Sequence, residues 1–391
     1  MTDSAPAPGA AQLPAPRVEQ LPDPAPLLSC FERNKRDLPW RRDSDPYKIW
    51  VSEIMLQQTR AGTVIPYFER FIERLPDLVA LAEISEHELL KLWEGLGYYN
   101  RARNMQKAAR QLLEQGKETL PDHYLALKEL PGIREYTAGA IASLAFGERV
   151  PAVDGNVVRV LARLLEREWT QGNVRDRAEA RRLTQAWLDQ SQAPPGRLNE
   201  ALIELGATVC RPRQPRCVDC PLEADCLARA AGRERDLPLP KKAKAVPVEE
   251  LTFVILNAPV RADLAGRGEA ERWLVGQRPG SGLLANFWTV PVLDGKCSPA
   301  EAAALLDEAG WSSSNVAEIG AGRHVFSHLV WDFNVLEARL DRTAKERIPA
   351  GAASVAGQGL LPDQGYWLSA DELRTLAFPT ALHRWLPWSR S

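Results

Sequence analysis

Two carboxylates stand out in this sequence for the different settings their neighbours give them. The stretch from Asp45 to Arg60, DPYKIWVSEIMLQQTR, places Glu53 inside an apolar run of helical period. Asp45 can cap a helix and Pro46 suits its first turn. Ile49 and Leu56 then share a face with Glu53 at spacings of four and three, beside Trp50 and Ile54. Desolvation raises a carboxyl pKa, so Glu53 is expected to hold a proton near neutral pH and to donate it. Further along, PAVDGNVVRVL places Asp154 at a helix start, where amide donors and the helix dipole favour the anion. The two settings are expected to push the pKa values apart, Glu53 up and Asp154 down. That is the division of labour that cleaves a glycosidic bond through an oxocarbenium-like transition state. Each residue alone has an ordinary reading, as an ion-pair partner of an arginine or as a helix cap. It is their company along the chain that favours chemistry.

Part of that company is a cysteine cluster, CRPRQPRCVDCPLEADC, in which Cys210, Cys217, Cys220 and Cys226 are separated by six, two and five residues. In a reducing compartment, four thiolates in one short loop hold a metal centre rather than disulfides. Zinc is the ordinary occupant of four cysteines, but structural zinc usually takes two close pairs separated by a longer insert. The single compact loop therefore argues for an iron-sulfur cluster. Arg211, Arg213 and Arg216 would project from it as a phosphate-facing patch. Cys30 and Cys297 lie far away in sequence and read as ordinary thiols.

The elements that must position these groups follow from composition and periodicity. At 391 residues two domains are expected. Residues 1–26, rich in Ala and Pro, read as a disordered tail. From 27 to 228 the pattern is helical almost throughout, broken by Pro and Gly turns. Within it LPGIREYTAGAIASLAFG, Leu130 to Gly147, reads as a Pro-Gly turn between helices whose exposed amides suit a phosphate oxygen. Residues 229–250 are charged and free of aromatics, the texture of a linker. Residues 251–391 read as α+β, with strands at Leu251 to Leu256, Arg272 to Gln277, Phe287 to Val292 and Val330 to Leu336, and helices at Pro299 to Gly310 and Ser369 to Leu376. Lys+Arg 49 against Asp+Glu 51 neither suggests nor excludes a polyanionic partner. With no bilayer-length apolar run and no signal-peptide pattern, a cytoplasmic monomer with no membrane partner is expected.

The helical part resembles the helix-hairpin-helix DNA glycosylases that carry a 4Fe-4S cluster, and from Leu27 onward the whole chain looks like their A/G-specific adenine branch. The motifs, in order, are LPWR (Leu38 to Arg41), VSEIMLQQTR (Val51 to Arg60), GLGYYNRARN (Gly95 to Asn104), LPGI (Leu130 to Ile133), VDGNV (Val153 to Val157), NEALIELGATVC (Asn199 to Cys210) and the cysteine loop. The resemblance implies an all-α catalytic domain made of a six-helix region and an iron-sulfur region. It implies that Glu53 protonates adenine at N7, that Asp154 stabilises the sugar cation, and that Tyr136 and Asn156 orient the carboxylates and water. It places Trp40, Arg41 and Glu200 in the adenine pocket, and Gln58 and Tyr98 as wedges in the duplex. It also gives Gln57, Thr59, Leu96, Gly97, Gly132 and Arg134 contacts to DNA or substrate. Base extrusion is the physical requirement, because a duplex hides the bond to be cut. The implied partner is double-stranded DNA with adenine opposite 8-oxoguanine or guanine, with a replication clamp or other repair proteins as further partners and a nucleoid-associated location if the source is bacterial.

Endonuclease III-like relatives share the hairpin and cluster but use a lysine nucleophile where this chain has Tyr136. Tyrosine cannot form a Schiff base, so base removal without a dedicated lyase step is expected. Arg134 stands where the hairpin usually repeats Gly, and Val158 where some relatives carry lysine. A DNA-binding iron-sulfur sensor without catalysis is the competing class, and it would need neither Glu53 nor Asp154. The second domain resembles the Nudix-like domain that reads 8-oxoguanine, on GLLANFWTVP (Gly282 to Pro291) and HVFSHLVWDF (His324 to Phe333). By that resemblance Phe326, Ser327 and His328 meet the lesion, whereas periodicity alone would also accept Phe326 and His328 as core residues of a strand. The Nudix box with its clustered glutamates is absent, so no nucleotide hydrolysis is expected.

Overall fold

The helix that carries Glu53 forms for the reason its sequence suggests. Asp45 accepts from the Tyr47 backbone N–H at 2.9 Å and Pro46 occupies the first turn, giving Pro46–Leu56. This helix is buried on nearly every side, from Tyr47 to Met55 except Lys48, so it runs through a core rather than along a surface. The computed structural model describes residues 21–241, 245–260, 270–308, 311, 313–340, 347–348, 354–355, 358–359 and 365–389. The chain divides into two compact units, Met1–Ala82 with Asn104–Lys242, and Glu83–Arg103 with Ala243–Ser391. None of the described helices is long and apolar enough to cross a membrane.

The described part of the first unit is helical. Pro46–Leu56 packs on Glu135–Ala145, and Pro195–Thr208 packs on both Glu135–Ala145 and Gly155–Leu164. Close approach of the last pair depends on Gly206: a Cβ there would lie 2.5 Å from Asn156 Cβ. Residues 21–26, assigned to the tail by composition, are instead packed. The helix Ala25–Asn34 begins within them, Leu21 lies against the core, and the Pro22 carbonyl accepts from Trp187 Nε1 at 2.9 Å. Residues 1–20 lie outside the described residues. The first half of the expected linker also belongs to this unit. Leu237 is buried, Arg233 pairs with Glu166 and Glu168, and Leu239 bridges to Thr170. Charge and proline had suggested solvent, but these charges are partnered.

In the second unit a mixed sheet runs in the order Ser313–Val325, Val330–Leu340, Val248–Val260, Ala270–Gln277, Gly365–Leu368, Arg347–Ile348. The pair Val248–Val260 and Val330–Leu340 is parallel and its neighbours are antiparallel. Alternation along the central strand sends Val254 and Leu256 to one face, with the helix Pro299–Glu308, and Phe253 and Ile255 to the other, with Phe378, Leu382, Trp385 and Trp388. The region expected as one strand from Phe287 to Val292 is split into Trp288–Thr289 and Val292–Asp294. The helix expected over Ser369 to Leu376 is Ala370–Arg374, capped by Ser369 and Glu372 in a reciprocal box.

Candidate active site

The first unit brings four of the expected residues together. Glu53 is 8% exposed, and its carboxyl is bonded to the Tyr136 side chain, while Oε2 has no hydrogen-bond partner among the described residues. Burial, reinforced by the nearby negative charges of Asp154 and Glu200, pushes its pKa up to about 7, against the opposing pull of Tyr136 and Arg41. Tyr136 itself is driven well above its ordinary range by burial and by Glu53 and Asp154, so its hydroxyl stays protonated.

Asp154 caps the helix Gly155–Leu164. Its Oδ1 accepts from the Asn156 and Val157 backbone N–H groups at 2.8 and 2.9 Å, and its Oδ2 from Asn156 Nδ2 at 2.6 Å. The expectation that this cap would lower its pKa does not hold. Burial outweighs these donors and the attraction of Arg159, and raises Asp154 above the usual carboxylate range. What separates the two carboxyls is the supply of donors rather than opposite shifts. Three donors converge on Asp154, whereas one oxygen of Glu53 has none.

Around this pair, Arg41 spans Glu200 (3.0 Å) and Glu204 (2.9 Å), and Arg36 grips Glu204 at 2.7 Å. Burial pushes Glu204 up, but Arg36 and Arg41 hold it below the ordinary carboxylate range. Trp40 is buried edge-on against Phe68. Gln57 donates to Thr137 Oγ1 at 3.2 Å beside Tyr136, Thr59 bonds back to the Gln57 carbonyl, and Gln58 is exposed with φ 61°. Gly132 turns at φ 80° where a Cβ would lie 2.8 Å from Asn104 Cβ. Arg134, exposed, precedes Glu135–Ala145, and no side-chain cap hydrogen bond closes that helix start. Val158 is 7% exposed.

Leu96, Gly97 and Tyr98 belong to the second unit, as do Phe326, Ser327 and His328. The core reading holds for Phe326 and not for His328. Phe326 packs edge-on against Trp331 and His324, while Ser327 and His328 are exposed where the chain turns between Ser313–Val325 and Val330–Leu340.

Cys210, Cys217, Cys220 and Cys226 are all free thiols and line one small cavity with Arg163, Glu223, Arg229 and Glu234. Among the described residues no group of three or more His, Cys, Asp or Glu is placed to hold a single ion. Four thiols lining one cavity are a donor set that fits a metal centre. Burial raises the Cys220 thiol to about 12 and lifts Cys217 and Cys226, so a cationic centre is what would hold them as thiolates.

Two residues in this frame carry no motif signal of their own. Arg163, buried, donates to Cys210 Sγ (3.3 Å) and to the Arg211, Pro212 and Leu237 carbonyls. Arg159 joins the Cys210 and Gly206 carbonyls to Asn156 Oδ1, each at 2.8 Å. Both sit four apart in the apolar helix GNVVRVLARL, and that spacing is the signal that one face meets something polar. Arg163→Lys, which cannot make the fork, is expected to destabilise the protein by about 3 kcal/mol or more. It should also lower iron per chain, as read by thermal melting and metal analysis.

A buried acid near a capped carboxylate, on a helical scaffold, is an arrangement compatible with glycosidic-bond chemistry. Comparison with known proteins shows the class, that of base-excision DNA glycosylases: residues 51–187 match the HhH-GPD superfamily of base excision DNA repair proteins, and residues 264–387 match the NUDIX domain. The adenine DNA glycosylase of Homo sapiens is 34% identical over 92% of this chain and 72% of its own length. That of Schizosaccharomyces pombe is 30% identical over 78% of each. The chain belongs to the adenine DNA glycosylases. A solved thermostable thymine-DNA glycosylase is 28% identical, with a TM-score of 0.47, over 53% of this chain and 94% of that one.

Proposed function

We propose that this enzyme hydrolyses the N-glycosidic bond of adenine opposite 8-oxoguanine or guanine after flipping the nucleotide out of the duplex. The observation that carries the mechanism is the unpartnered Glu53 Oε2 on a carboxyl whose pKa is about 7. A neutral acid with a free oxygen is what N7 protonation requires. Asp154, held by three donors from Asn156 and Val157, stabilises the oxocarbenium-like sugar. Tyr136 and Asn156 orient the two carboxyls, and Trp40, Arg41 and Glu200 line the base pocket. Gln58 and Tyr98 wedge into the duplex, Gln57, Thr59, Leu96 and Gly97 contact DNA or substrate, and Gly132 and Arg134 present hairpin amides to a phosphate. Phe326, Ser327 and His328 meet the opposite base.

Cys210, Cys217, Cys220 and Cys226 would hold one 4Fe-4S cluster, which supplies thiolate–iron bonds that frame the Arg211 to Arg216 loop. Because Tyr136 cannot form a Schiff base, the reaction ends at an abasic site.

The test is a duplex with a central adenine opposite 8-oxoguanine, resolved on a gel with and without hot alkali. Strand scission only after alkali is expected, and scission without it, with borohydride trapping, would overturn the assignment. Lesion reading is tested by Ser327→Ala. 8-Oxoguanine differs from guanine by a C8 carbonyl and an N7 proton, and a good polar contact discriminates by about 1 to 3 kcal/mol. The ratio of single-turnover rates for adenine opposite 8-oxoguanine and opposite guanine should therefore fall, at one fixed salt concentration. An unchanged ratio would place that reading elsewhere.

A further inference from the structure

We propose that two segments of the second unit, residues 285–287 and 376–383, clasp its loop Glu94–Tyr98 and so position the duplex wedge, a role separate from reading the opposite base; this rests on the wedge assignment above. The loop is stiff in itself. Gly95, Gly97 and Tyr98 have φ of 99°, 70° and 50°, and Tyr98 is a strained non-glycine residue that is 44% exposed. Trp93 Nε1 donates to the Gly97 carbonyl at 3.1 Å and the Gly95 N–H to the Tyr99 hydroxyl at 3.2 Å. Arg101 donates to the Leu96 and Gly97 carbonyls while lying against the Trp93 and Tyr98 rings.

Internal stiffness does not anchor a loop, and the anchors come from two distant segments of the chain. Glu94 Oε1 accepts from the Phe378 N–H at 2.9 Å and lies 3.2 Å from His383 Nε2. Lys91 Nζ joins Glu94 Oε2 (2.8 Å) to the Leu376 carbonyl (3.0 Å). From the GLLANFWTVP motif, the Phe287 ring packs tilted against Tyr99 with centroids 4.3 Å apart, Asn286 Nδ2 donates to Glu86 Oε1 at 2.7 Å, and the Ala285 carbonyl accepts from Arg103. Leu284 and Asn286 are left-handed, with φ of 54° and 57°, so this motif holds an unusual backbone at the point of grip. A wedge that opens a base stack works against the stacking it breaks, and only a supported side chain can deliver that. The support therefore acts on extrusion whatever base lies opposite.

The test uses the full-length protein with Asn286→Gly and His383→Ala combined, glycine being chosen because it keeps the left-handed backbone. On duplexes with adenine opposite 8-oxoguanine and opposite guanine, single-turnover release should fall by on the order of tenfold to a hundredfold on both, with their ratio unchanged. Adding Tyr98→Ala should produce little further loss, since both changes remove one function. Unchanged rates, a loss confined to one duplex, or full additivity with Tyr98→Ala would overturn the clasp. Glu94→Gln alone serves if the double variant melts early. A Tyr98→Ala variant that is itself fully active would instead remove the wedge assignment, whereas a changed ratio on Ser327→Ala bears only on lesion reading.

Discussion

Glu53→Gln is expected to lower adenine release by about two to four orders of magnitude while leaving duplex affinity within a few-fold of wild type, because the amide keeps the shape and cannot give a proton. Wild-type single-turnover rates should fall as pH rises through about 7, where Glu53 loses its proton, and the residual rate of the variant should lack that limb. Stability supplies an independent check with a defined sign. The folded-state pKa of about 7 lies above the ordinary 4.5, so between these values the fold binds more protons than the unfolded chain and becomes less stable as pH rises. Glutamine has no charge to desolvate. The inactive variant should therefore be more stable than wild type at pH 8, by about 1 to 3 kcal/mol, and equal to it near pH 4. Rates within a factor of a few of wild type would remove Glu53 from the acid role.

The helical unit was legible because its motifs are local: a cap, a proline and an apolar period specify Pro46–Leu56, and VDGNV specifies the Asp154 cap. The direction of the Asp154 shift was not, because a sequence shows the donors of a cap but not the depth at which Val157 and its neighbours bury it. Depth also hid Glu204. It stands four residues after Glu200 in NEALIELGATVC, on the same helical face, and completes the Arg41 bridge that the motif only half announces. The longest strand missed, Ser313–Val325, lacks the expected alternation because Gly320 and Gly322 stand where side chains should. A Cβ on Gly320 would lie 2.2 Å from Trp385 Nε1, so the position is reserved for a ring more than sixty residues away. Likewise nothing local assigns residues 83–103 to the second unit, since their partners begin near Ala285.

Asp154→Asn is expected to be at least as damaging to catalysis as loss of Glu53, and for a reason that reaches beyond charge. The asparagine oxygen can still accept from the Asn156 and Val157 backbone N–H groups, which now reach Oδ1 at 2.8 and 2.9 Å. Its NH2 group, however, would face Asn156 Nδ2, the donor that now reaches Oδ2 at 2.6 Å. Asn156 has no relief by rotating its amide, because its Oδ1 is already held by Arg159 Nη2 at 2.8 Å and a flip would set two donors against each other there. The substitution thus removes the anion that faces the sugar cation and also unsettles Asn156 and its link to Cys210. Loss of one preorganised electrostatic contact usually lowers a rate by about a hundredfold to a thousandfold, so a thousandfold or greater loss is expected here. Binding should separate the two carboxyls more cleanly than rate. A duplex bearing a protonated pyrrolidine in place of the target sugar mimics the cation without a base to protonate. Asp154→Asn should weaken its binding by on the order of tenfold to a hundredfold, the scale of one charge-assisted contact, while Glu53→Gln should alter it far less. Equal losses in the two variants would show that the division between acid and anion is not carried by these residues.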